Sequence, residues 1–239
     1  MNGPLKLLPM KAGSTAKILL VLSLASAGVL QGQKAEPSRS ALLNLPLSFE
    51  RQGEGARERY VAQGQGYAIG LEKGRAVVGL GRKAVSREFA GGQAVDATPE
   101  NELAGKVNRY TGNDPKQWKT GLPTFGKVAY KGIYPGIDVV YYGNQKQLEF
   151  DFVVRPGTDP SAIRMKIGGA QKLAIDGSGA LVIDDSRDLK IALPTVYQYS
   201  GGVRKKIAGR YELRGGNEVA FALEAWDPTK QLVIDPTLV

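Results

Sequence analysis

The sequence predicts an all-β fold: an antiparallel, sandwich-like domain built from consecutive hairpins, with little helix. Three observations carry this. Residues 134–154, YPGIDVVYYGNQKQLEFDFVV, read as one long β-hairpin, because a β-branched and aromatic run (137–142) and an alternating run (147–154) flank the reversal Gly143-Asn144-Gln145-Lys146. Short apolar runs recur about every eight residues between glycine-containing turns, which is the spacing of a sheet protein. Beyond the N-terminal segment no stretch sustains a helical period of apolar residues, and no internal repeat supports a propeller or solenoid.

The first element is a secretory signal peptide, residues 1–27. Lys11 and Lys17 precede an apolar run at 18–24 that continues through Val29-Leu30, and Ala25-Ser26-Ala27 is a small-x-small cleavage site. Gly13, Ser14, Ser23 and Ser26 leave this run short of the roughly 20 apolar residues that a membrane span needs. No later stretch approaches that length, so no integral span is expected after cleavage. Residues 28–44, with QGQKAEPSRS at 31–40, read as a flexible leader. A β-rich domain then occupies 45–239, with 45–92 and 103–239 as two packed sub-regions on either side of a polar, proline-containing connection at 91–102.

In the first sub-region strands are expected over 59–62, 67–71 and 75–80, reversing at Gly64, Gly66 and Lys73-Gly74. In the second, 107–110 leads into the turn Gly112-Asn113-Asp114-Pro115, which Trp118 anchors, and 125–130 is a strand feeding the long hairpin. One helical turn is expected at 161–163. Hairpin strands follow at 164–167, 172–175, 181–183, 189–193, 195–199, 204–207, 211–213, 219–223 and 232–234. Their reversals, Asp176-Gly177-Ser178-Gly179, Ser200-Gly201-Gly202 and Gly215-Gly216-Asn217, offer the positive φ that tight turns require.

Composition removes several chemistries. The chain has no cysteine and no histidine, so it cannot build a disulfide framework, a thiolate nucleophile, a His-ligated zinc or a Ser-His-Asp triad. Its net charge of +9 falls to +6 once Lys6, Lys11 and Lys17 leave with the signal. The densest basic run, Arg204-Lys205-Lys206, adjoins a Gly201-Gly202 turn and reads as a solvated hairpin tip. Basic residues are not interleaved with stacking aromatics, so no nucleic-acid partner is expected. The charge excess would instead favour an anionic envelope polymer.

Five segments together resemble a known family: LPLSFE (45–50), YTGNDPKQW (110–118), the 134–154 hairpin, RPGTDPSAIRM (155–165) and LVIDPTLV (232–239). They are similar to the N-terminal domain that precedes SBBP-type β-propeller repeats in large secreted bacterial proteins. The resemblance covers nearly all of the chain after the signal. It implies export, a cell-envelope setting and downstream propeller repeats as a partner, and it brings no catalytic residue. Arg51-Gln52-Gly53-Glu54-Gly55 stands where relatives tend to have an Asn- and Gln-rich turn. The sequence reaches Val239 where repeats would begin, as a stand-alone version or a shortened reading frame would.

The hairpin register supplies the candidate chemistry. With Tyr142 facing Gln147, Val140 opposes Glu149 and Asp138 opposes Asp151. Ile137, Val139, Tyr141, Leu148, Phe150 and Phe152 then form a core face, while Asp138, Glu149 and Asp151 gather on the other. Like charges placed opposite one another destabilise by roughly some tenths of a kcal/mol, so this cluster calls for a cation. Lys127, Lys131, Arg164 or Lys166 could supply it; so could Ca²⁺, whose oxygen-only ligation suits a chain without His or Cys. A glycosidase carboxylate pair is the third reading, and it requires a separation of about 5 to 9 Å. The Asp176 turn and the Asp184-Asp185 pair do not match an EF-hand. Trp118, Tyr142 and Trp226 are the candidate ligand-stacking residues. The expected function is that of a non-catalytic structural or interaction domain at the bacterial envelope. Its two rivals are a carbohydrate-binding module and a polysaccharide-acting enzyme using Asp138, Glu149 and Asp151.

Overall fold

The computed structural model describes residues 45–238 apart from 54, 82 and 185–188. The segments expected as a signal peptide (1–27) and a leader (28–44), together with Asp185 and Val239, lie outside the described residues. The domain opens with five strands, β1 (Phe49–Gln52), β2 (Arg59–Gln63), β3 (Tyr67–Glu72), β4 (Arg75–Leu80) and β5 (Lys83–Phe89). Two long strands follow, β6 (Ala97–Arg109) and β7 (Lys119–Tyr134), then the hairpin β8 (Ile137–Gly143) and β9 (Leu148–Val154). Next come β10 (Met165–Gly168), β11 (Leu173–Ile175), β12 (Leu181–Ile183), β13 (Lys190–Ile191) and β14 (Thr195–Ser200). The chain finishes with β15 (Val203–Ile207), β16 (Gly209–Gly215), β17 (Glu218–Leu223), β18 (Leu232–Asp235) and β19 (Thr237–Leu238).

The fold is all-β and every strand pairing is antiparallel, within one sheet that curls nearly shut like a barrel. From β1 the ladder runs through β2, β3, β4, β5, β10 and β17 to β16. In the other direction it runs from β8 through β9, β18 and β14 to β15. Strand β7 bridges the two arms. Its residues 119–130 pair with β6 along one edge, while its opposite edge takes β8 at Val128–Tyr130 and β1 at Thr124–Phe125. The far ends, β15 and β16, follow one another through Ala208, whose carbonyl accepts from Glu224 N. A Cβ at Gly209 would strike Val196, so the curl closes tightly there. Strands β13–β14 and β18–β19 each break at a proline, Pro194 and Pro236, which lack the N–H a ladder needs.

Alternation drives the core. In β8 and β9 the residues Ile137, Val139, Tyr141, Leu148, Phe150, Phe152 and Val154 are all buried, as period-2 side-chain geometry requires of one sheet face. Phe152 meets Phe221 at 5.5 Å and Phe89 at 5.9 Å, which joins both arms of the sheet. Tyrosines carry their hydroxyls inside and satisfy them on backbone: Tyr130 Oη lies 2.5 and 2.9 Å from the Glu72 and Arg75 carbonyls. Tyr134 donates to the Arg164 carbonyl at 2.9 Å and accepts from Arg164 N. Burial holds both hydroxyls above their usual pKa.

Strands β5, β6 and β19 depart from the sequence expectation. Residues 83–89 form β5, and much of the expected connection at 91–102 belongs to the 13-residue β6. Among the described residues strand β6 pairs only with β7, so it is exposed along most of its length and has no apolar alternation to read. Its charges, Pro99 and two register shifts are devices that blunt an edge strand. The expected helical turn is a 3₁₀ turn at Pro160–Ala162, capped by Asp159, which accepts from Ser161 N at 2.9 Å. Strands β1 to β5 join the same sheet as the rest through β1 on β7 and β5 on β10.

Candidate functional site

The hairpin faces agree with the alternation, but the pairs differ. Tyr142 opposes Glu149, Val140 opposes Asp151 and Asp138 opposes Val153, two residues away from the expected register. The loop is the cause. Gly143 pairs with Leu148, and the reversal is Asn144 to Gln147, closed by Asn144 N donating to the Gln147 carbonyl at 3.0 Å. The Asn144 side chain accepts from Lys146 N and Gln147 N at 2.9 and 3.1 Å, a local turn that competes with ladder pairing. A shift of two keeps every side chain on its face while exchanging its partner.

That exchange splits the acidic trio. Asp138 leaves it: its carboxylate accepts from Gly132 N at 2.7 Å and pairs with Arg155 at 3.2 Å. Asp151 and Glu149 remain, and β18 brings in Asp235, which the sequence reading missed. Asp151 accepts from the Tyr142 hydroxyl at 3.0 Å, and Lys127 Nζ lies 5.1 Å from the centre of the Tyr142 ring. Burial raises the Asp151 carboxyl to about 7; the Asp235 charge adds to this, and the Tyr142 hydroxyl opposes it. Asp235 is raised as well, by burial and by Glu149, with Arg204 pulling the other way, and its Oδ1 is buried without a hydrogen-bond partner. The repulsion is thus relieved in two ways: Arg155 answers Asp138, and a proton held near neutrality answers Asp151. Among the described residues no group of three or more His, Cys, Asp or Glu side chains is arranged to hold a metal ion. Of the other expected cations, Lys131 pairs with Glu100 at 2.7 Å, and Arg164 lines a surface cleft.

The three aromatic candidates are in different settings. Tyr142 is half-buried and committed to Asp151 and Lys127, so its ring is not a free platform. Trp226, in the loop between β17 and β18, packs half-buried against the core. Only Trp118 projects, 40% exposed, at the tip of the β6–β7 hairpin, with Tyr110 beside it at 5.1 Å in an edge-to-face pair. The tip is held in shape. Asp114 caps the 3₁₀ turn Pro115–Gln117 by accepting from Lys116 N, Trp118 Nε1 donates to the Gly112 carbonyl at 3.3 Å, and Asn108 accepts from Gly121 N at 2.8 Å.

A cleft of about 600 Å³ lies beside the Tyr134–Pro135 turn, lined among others by Arg164, Arg214 and Glu218. Glu218 is its sole acidic lining residue, so it holds no carboxylate pair.

Residues 49–237 match the family model described as a domain of unknown function, DUF7948. The chain belongs to that family. No curated protein and no solved structure matches this DUF7948 domain. Its site features came from the sequence unevenly. The alternation Val233, Asp235 across LVIDP places Asp235 on the face opposite Leu232 and Ile234, so its orientation was legible; its neighbours were not. In β5, Val85, Arg87 and Phe89 share one phase, and a charged residue at an apolar position was the available signal for Arg87.

Proposed function

We propose that this DUF7948 domain is a non-catalytic interaction module of an exported envelope protein, and that it engages envelope polysaccharide through the tip of the β6–β7 hairpin. The carrying observation is the exposed, pre-shaped Tyr110–Trp118 pair, set outside the core at the tip of a hairpin whose β6 strand has its other edge unpaired among the described residues. Rigid aromatics of this kind offer contact area at low entropic cost. The alternative enzymatic reading has less support: Asp151 and Glu149 project from strand centres of the sheet, and the 600 Å³ cleft carries a single acid. Among the described residues no helix is long and apolar enough to cross a membrane. The signal-like N-terminus supports export, and the resemblance of the 110–118 and 134–154 segments supports a place ahead of propeller repeats.

The chain has two tryptophans, so a Trp226→Phe background leaves Trp118 as the reporter. Its fluorescence should shift saturably with a purified envelope polysaccharide, and Tyr110→Ala with Trp118→Ala should abolish retention on that polymer. No reducing ends should be released from it. A Trp118 signal that ignores a panel of such polymers refutes the binding reading; release of reducing ends refutes the non-catalytic one.

A further inference from the structure

We propose that Arg87 anchors a small-carboxylate site inside the barrel. Arg87 is 8% exposed and projects from β5 into the interior, between the two arms of the sheet. Its guanidinium lies 3.4 Å from the Phe150 ring centre and 4.9 Å from that of Tyr141, and its Nη2 donates to the Tyr141 hydroxyl. Its Nε–H is buried without an acceptor. Among the described residues Arg59 and Arg75 also bury an Nε without an acceptor, but Arg59 donates through Nη2 to Gln52 and Arg75 pairs with Glu88 at 3.4 Å, while the buried Thr124 donates to the Gly105 carbonyl and Gln198 is bonded at both ends. Among the described residues Arg87 makes no ion pair.

A guanidinium in this state is under-compensated. Removing a cation from water carries a large penalty, and stacking on aromatic rings offsets only part of it. Hydrogen bonding is also incomplete, since five N–H donors are available and the Tyr141 hydroxyl takes one. The missing component is an anion.

Arg87 lines an interior cavity whose other walls are almost entirely aliphatic or aromatic, including Val78, Phe150, Ile183, Leu189 and Leu238. The cavity is about 30 Å³, room for about two or three water-sized groups, which is the size of formate or acetate. The guanidinium is a planar fork of N–H donors, and such a fork matches the two oxygens of a carboxylate. The aliphatic wall suits a hydrogen or methyl substituent and offers nothing to a second charge. These features select a small monocarboxylate over a phosphate, a dicarboxylate or a sugar. This site is independent of the hairpin tip and would stand if the polysaccharide reading failed.

The test is thermal unfolding of the protein in sodium formate, acetate, chloride and benzoate at one ionic strength, together with ¹³C line broadening of labelled formate. Formate or acetate should raise the unfolding temperature saturably above the chloride value, and the protein should broaden the formate resonance. Benzoate, too large for the cavity, should behave as chloride does. Arg87→Met should remove both effects; it should fold, because an apolar replacement for a buried charge is often neutral or stabilising. If it does not fold, Arg87→Lys is read instead, with binding weakened by about tenfold through loss of the planar fork. Small carboxylates that act no differently from chloride overturn the proposal, as does an effect that survives in Arg87→Met or is undiminished in Arg87→Lys.

Discussion

Asp151 provides a quantitative test of the outer-face geometry. Its carboxyl goes from 3.8 in the unfolded chain to about 7 in the folded protein. The native state therefore holds the proton more tightly, and this residue's contribution to stability declines as pH rises from about 4 to about 7 and is flat above. At about 1.4 kcal/mol per pH unit, keeping it ionised at pH 8 costs up to about 4 kcal/mol. Asparagine removes the charge and keeps an oxygen for the Tyr142 hydroxyl. Asp151→Asn should thus stabilise the protein by up to about 4 kcal/mol at pH 8, about 3 at pH 6 and about 1 at pH 4.5. The groups facing Asp151 are Asp235, Glu149, Tyr142 and Lys127, so the proton is shared by a coupled cluster and the midpoint belongs to that cluster. Urea denaturation at the three pH values and fixed ionic strength measures the gap, with equal m-values as the control. An equal gap at pH 8 and pH 4.5, or an asparagine variant less stable than wild type at pH 8, would refute a buried, unneutralised carboxylate.

Three further outcomes follow from the geometry. Gly143 has φ +151, and a Cβ there would overlap the Gln147 carbonyl; Gly143→Ala should cost about 2 kcal/mol or more in urea midpoint, and an unchanged midpoint would mean the hairpin closes differently. Gln198 donates to the Asp227 and Lys230 carbonyls at 2.8 and 3.2 Å and accepts from Asp227 N at 2.9 Å. Gln198→Ala should therefore cost about 2 to 3 kcal/mol and red-shift Trp226 emission, read in a Trp118→Phe background; an unmoved spectrum would show that the loop holds without it. Removing both Tyr110 and Trp118 side chains should change stability by less than about 0.5 kcal/mol, because the tip lies outside the core; a larger loss would make it structural.

The parts of the fold legible in the sequence were those set by residues close together in the chain. The alternation in 137–142 and 148–154 assigned each side chain to a face because strand geometry has period 2, and it survived a register error of two for the same reason. Glycine and Asx chemistry marked the reversals, as at Asp176 and Asn144, because these residues bond their own backbone. Strand β6 was illegible because an edge with one neighbour need not alternate.

By itself the sequence determined that this is an antiparallel all-β chain with an apolar face and an acidic face on its long hairpin, since both follow from local backbone geometry. Only the tertiary structure decided which strands lie side by side. It set Asp235 of β18 beside Asp151 and gave Asp138 to Arg155, which turned an expected trio into a proton-holding cluster. It also carried Arg87 of β5 across the interior onto Phe150 of β9, strands that share no ladder. Such juxtapositions depend on how the sheet curls and closes, a property of long-range pairing that no short stretch of sequence encodes.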